Sequence, residues 1–104
     1  MRALVVLTTT PDKKSARKIA GSLIQKRLAA CVSIGGGFES VYRWKGKVAR
    51  ASEILLIIKT SKTKLSKLEK IIRVGHPYKV PEVLAIEAAG GSKDYLSWME
   101  DSLK

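Results

Sequence analysis

Lys45-Gly46-Lys47-Val48-Ala49-Arg50-Ala51-Ser52-Glu53-Ile54-Leu55-Leu56-Ile57-Ile58-Lys59-Thr60 is the stretch on which the fold turns. Lys45-Gly46 is a tight-turn signal, and Lys47 to Thr60 reads as a β-segment whose second half, Ile54 to Ile58, is apolar on both faces. The residues before the turn, Ala29 to Tyr42, are also strand-like, interrupted at Gly35-Gly36-Gly37. The two segments predict one long hairpin.

Outward from the hairpin the pattern alternates. Ala3 to Thr9 is β-branched and apolar, and Thr10-Pro11-Asp12 supplies an N-cap, a proline for the first helical position and an acid near the positive helix end. Ala16, Ile19, Ala20, Leu23 and Ile24 then form one helical stripe, with Lys13, Lys14, Arg17 and Lys18 outside it. After the hairpin, Ser61 to Val74 carries Leu65, Leu68, Ile71 and Ile72 on a second stripe, and Gly75-His76-Pro77 ends it. Val83 to Ala88 reads as a short last strand. Ser92 caps a closing helix bearing Tyr95, Leu96, Trp98, Met99 and Leu103. The order β-α-β-β-α-β with an extra C-terminal helix predicts an α+β, ferredoxin-like sandwich in one domain, residues 1–104, with two helices on one sheet face. The other face of so apolar a sheet also needs cover, and oligomerisation provides it.

Composition narrows the function classes. The 104 residues suffice for one core, and no apolar run approaches the roughly 20 residues of a membrane span, so a soluble domain with no membrane partner is expected. The start reads as a strand and not as a signal peptide, which points to the cytoplasm. The lone Cys31 makes neither an internal disulfide nor a zinc pattern within one chain, and at the start of a strand it reads as a small buried hydrophobe. With no Asn and a single Gln, the chain shows the depletion of thermolabile residues found in thermostable proteins. Lys and Arg number 20 against 9 Asp and Glu, a net charge of +11 that makes an anionic partner eligible.

Thr9-Thr10-Pro11-Asp12, Arg27-Leu28-Ala29-Ala30-Cys31-Val32, the Tyr42-Arg43-Trp44-Lys45-Gly46 hairpin and the His76-Pro77-Tyr78-Lys79-Val80-Pro81-Glu82 loop, followed by Tyr95-Leu96-Ser97-Trp98, resemble in order and spacing the CutA divalent-cation-tolerance family over the whole chain. The resemblance implies a protomer akin to PII signalling proteins. It also implies a homotrimer in which long hairpins pair between subunits and sheets face inward. Tolerance to divalent metals, especially copper, comes with it, and no reaction does, so a non-enzymatic protein is expected. Copper or another divalent cation is the ligand implied.

His76 is the single histidine and would be the natural copper ligand, but the reading favoured over that is a helix-ending residue hydrogen-bonded within a rigid turn. Copper-linked members of the family carry a cysteine at the position of Thr8 and a second histidine at that of Gly75, and both are absent here. Lys79 adds positive charge close to His76, which counts against a metal. Tyr42, Trp44, Tyr78 and Trp98 are amphipathic aromatics suited to an inter-subunit pocket or to ligand stacking. Glu53, Lys59 and Glu82 border strand ends and form a polar cluster in a cleft between subunits, or else remain solvated charges.

Two other functions share this element order. RNA-recognition domains share the element order, but they stack bases on aromatics of the central strands, and Leu4 to Leu7 and Ile54 to Ile58 contain none. Nucleic acid or another polyanion would therefore be held nonspecifically, by the lysine-rich helices. A small phosphatase would need a Gly-rich anion loop with arginine after the first strand, and Thr8-Thr9-Thr10-Pro11-Asp12 offers neither.

Overall fold

Four strands and three helices account for the chain in a computed structural model that describes residues 1–104. The strands are β1 (Ala3–Thr10), β2 (Cys31–Trp44), β3 (Lys47–Ser61) and β4 (Leu84–Glu87). The helices are α1 (Lys13–Gln25), α2 (Leu65–Gly75) and α3 (Lys93–Ser102). The sheet order is β2-β3-β1-β4, antiparallel throughout. The predicted ferredoxin-like α+β arrangement, long hairpin and extra C-terminal helix are all present.

The alternation of β1 and β3 divides the sheet into two unlike faces. Leu4, Val6 and Thr8 stand opposite Thr60, Ile58 and Leu56, and these residues are buried beneath the helices. Ala16, Ile19 and Leu23 of α1 and Leu68 and Ile72 of α2 complete that core. The stripes predicted for both helices are the stripes that pack, because a 3.6-residue period keeps those positions on one side. Thr8 also faces this core, and its hydroxyl has no hydrogen-bond partner.

The opposite sheet face is bare in one copy. Val5, Leu7, Leu55 and Ile57 are only half-buried there, and Leu84 and Ile86 of β4 are exposed. α3 packs through Met99 and Leu103 while leaving Tyr95 and Trp98 about half exposed.

Two local details differ from the sequence expectation. The N-cap of α1 is Asp12 and not Thr10: its carboxylate accepts the Ser15 backbone N–H at 2.7 Å, and this bond holds the acid below its ordinary pKa. Thr10 stays in the strand, where its hydroxyl donates to the Asp12 carbonyl at 2.8 Å, so Pro11 precedes the cap. α2 is entered through a 3₁₀ turn, Lys62–Lys64, because the Ser61 hydroxyl pairs with that of Thr63 at 3.0 Å and not with a helix N–H.

The glycine run in β2 is a β-bulge. Gly35 pairs with Leu55 and Phe38 with Glu53, so Gly36 and Gly37 together oppose the single residue Ile54. The extra residue changes parity: Cys31, Ser33 and Gly35 lie on the open face before the bulge, and Phe38, Ser40, Tyr42 and Trp44 after it. The hairpin closes through Lys45 (φ 50°) and Gly46 (φ 77°), a two-residue turn with left-handed backbone at both positions. Gly37 also has a positive φ, 81°, in a site with room for a side chain. Gly37→Val is therefore expected to cost about 1–2 kcal/mol through backbone strain, read as a lowered midpoint in guanidinium unfolding. A midpoint equal to the parent's would mean that the bulge does not need this backbone.

Candidate functional site

At the end of β1 the chain leaves the sheet for α1, and α2 returns to the same place, ending at Gly75. His76 is the pin. Its Nε2 lies 2.6 Å from the Thr9 carbonyl oxygen, and its Nδ1 lies 3.0 Å from the backbone nitrogen of Tyr78. The backbone N–H donates to Nδ1, so Nδ1 is unprotonated and Nε2–H donates to the carbonyl; the bonds define one tautomer of the neutral ring. The His76 and Tyr78 rings lie 4.9 Å apart.

The pinned loop closes one side of a groove of about 640 Å³, whose other wall is the hairpin. Tyr42, Trp44, Glu53, Tyr78 and Glu82 all line it. So do Thr9 and Ser40, which the sequence analysis did not single out, and Lys79. The bulge is responsible for this gathering, since it turns Tyr42 and Trp44 to the face that carries Glu53. Glu53 is 8% exposed and makes no salt bridge.

Lys59 and Trp98 stand apart from the groove. Lys59 lies on the open sheet face, where its ammonium donates to the Ser33 hydroxyl at 3.1 Å and to the Cys31 sulfur at 3.6 Å. Trp98 lies on α3 with Tyr95, ring centroids 5.5 Å apart. Thr8 is in the helix-side core, so a side chain at that position does not reach the groove; Thr9, its neighbour of opposite parity, does.

The Tyr78 phenol is pushed above its ordinary value of about 10, first by partial burial and then by the Glu53 carboxylate beside it. Its neutral form is favoured in the fold, so the stability it contributes is intact below about pH 10 and is lost as pH rises through the raised value. In an alkaline titration followed by tyrosinate absorbance, Tyr78 is expected to give a late step above the ordinary phenol range, and Tyr78→Phe to remove that step. A late step that survives the substitution would assign it elsewhere.

A metal is poorly served within one chain. Both nitrogens of His76 are already bonded, and no group of three or more His, Cys, Asp or Glu converges. The groove is instead a half-built pocket, with two carboxylates, three aromatic side chains and an open side next to an apolar sheet face.

A ferredoxin-like fold with one sheet face bare and a groove of about 640 Å³ at the root of a projecting hairpin defines the class: a small α+β protein of this architecture. Residues 4–102 match the family described as CutA1 divalent ion tolerance protein, and the chain belongs to that family. The Divalent-cation tolerance protein CutA of Thermus thermophilus is 44% identical over 98 residues, 94% of this chain and 95% of the relative. Protein CutA, chloroplastic, of Arabidopsis thaliana is 46% identical over 102 residues, 98% of this chain; the chain spans only 56% of that relative's length. The crystal structure of CutA1 from Oryza sativa superposes with a TM-score of 0.95 at 45% identity, covering 98% of this chain and 94% of that one.

Proposed function

We propose that the protein acts as a non-enzymatic homotrimer, joined through its hairpins and open sheet faces, that takes up a divalent cation or other small ligand where the grooves of neighbouring copies meet. The observation that carries this is the groove: Tyr42, Trp44, Tyr78, Glu53 and Glu82 converge from two distant parts of the chain, and the pocket they start stays open toward the bare apolar face. Glu53 and Glu82 are the oxygen donors one copy offers to a divalent cation, and a second copy supplies the remaining ligands. Copper is the cation to try first, with His76 holding the loop that carries Tyr78 and Glu82. Cytoplasmic residence goes with this proposal, since the single Cys31 calls for no oxidising compartment. No helix is long and apolar enough to cross a membrane.

Native mass spectra at neutral pH, with and without several equivalents of Cu(II), test both halves. A particle of about 34 kDa, three times the 11.4 kDa chain, with a fixed number of copper ions supports the proposal. A trimer that gains no copper removes copper as the ligand, and a monomer removes the assembly on which the site depends.

A further inference from the structure

The helical layer has a charge pattern that neither the groove nor the open sheet face uses. α1 contains no acidic residue, and the only one in α2, Glu69, is 3.8 Å from Arg73 and forms its ion pair. Lys26, just beyond α1, faces Lys64, Lys67 and Lys70 across a second groove of about 580 Å³. None of these four lysines makes a salt bridge. Lys64 of the 3₁₀ turn and Lys67 and Lys70 of α2 follow one another at intervals of three, so like charges are stacked along one side with no counter-charge between them.

We infer that this lysine groove binds a single linear phosphate chain, inorganic polyphosphate. Four lysines lining one groove, with no acid in the lining, fit a polyanion, and lysine recognises phosphate as a compact point charge with no demand on orientation. The apolar part of the lining is Leu28 and Ile71, with no aromatic side chain and no arginine. Single-stranded nucleic acid is held by aromatic stacking as well as by charge, so the lining favours a phosphate chain that carries no bases. The groove lies on the helical layer, so it remains accessible when the open sheet face is covered, and the inference stands apart from the assembly proposed above. Polyphosphate carries divalent cations as its own counterions, which would give a divalent-cation tolerance protein access to them without side-chain ligands.

Binding of fluorescently labelled polyphosphate, a few tens of phosphates long, to the full chain is followed by anisotropy in metal-free buffer across a salt series. Two charge-reversed variants are compared: K67E/K70E in the groove, and K14E/K18E, exposed on α1 and outside it, with circular dichroism to confirm folding. K67E/K70E is expected to weaken binding by at least ~10-fold and K14E/K18E by less than ~3-fold, with affinity falling steeply as salt rises. Equal losses in the two variants, salt-insensitive binding, or no binding near physiological salt would each overturn the inference. So would tighter binding of oligothymidylate of matched length, which would point to nucleic acid.

Discussion

If the parent chain forms the proposed trimer of about 34 kDa, a lysine in place of Ile57 is expected to leave a folded 11.4 kDa protomer. Ile57 lies in the middle of the open sheet face, between Leu7 on β1 and Ser33 on β2, and its side chain points away from the helices. The core residues Val6, Leu56 and Ile58 are on the other side of the sheet and keep their packing, so far-ultraviolet circular dichroism is expected to be unchanged. In the assembly the new ammonium would be buried among apolar side chains with no partner, at a cost of about 3–5 kcal/mol per copy. That is a loss of roughly two to three and a half orders of magnitude in association for each copy, enough to dissociate the particle at micromolar concentration. A variant that is folded and still 34 kDa would show that this face is not what joins the copies.

The second large effect is expected at His76. His76→Ala leaves the Thr9 carbonyl and the Tyr78 N–H without their partners, and at about 1–3 kcal/mol for each of the two orphaned groups the loss of stability should reach about 2–6 kcal/mol. The loop carrying Tyr78 and Glu82 is then released, and the late tyrosine ionisation is expected to return to the ordinary phenol range. Copper uptake separates the two roles of the ring. A positioning residue lowers the unfolding midpoint, and the folded variant still reaches the parent's copper count at excess copper, with weaker affinity because the loop carrying Glu82 is loosened. A ligand would lose copper with little change in stability, and that outcome would reverse the assignment made from the hydrogen bonds.

The helices, the hairpin and their order were legible because each depends on local periodicity or on a turn dipeptide. The apolar run Ile54 to Ile58 also foretold a sheet with two faces to cover. The glycines at 35 to 37 marked an interruption, but parity across a bulge is set by pairing with β3. Nothing local says that Tyr42 and Trp44, and not Val41 and Arg43, share a face with Glu53. The bond from His76 to Thr9 spans 67 positions and leaves no trace in spacing. Lys59 and Trp98 have the right chemistry for the groove and lie elsewhere, because residue type fixes what a side chain can do and topology fixes what it meets. Thr9 was findable in principle: it alternates with the buried Thr8 and Thr10, so it faces the open side at the strand end where the loop returns.

The division of the sheet into an apolar side and a helix-covered, lysine-rich side has a colloidal consequence. In the proposed trimer, copies that meet through their bare faces would turn their helical layers outward, and three of them would carry +33, three times the +11 of one chain. Each finished particle then repels the next through that outer layer, while its adhesive surface is already consumed. Such a trimer would stop growing without any residue dedicated to stopping it, and its tendency to clump would be set by the ionic strength around it, since salt is what shortens the reach of that repulsion.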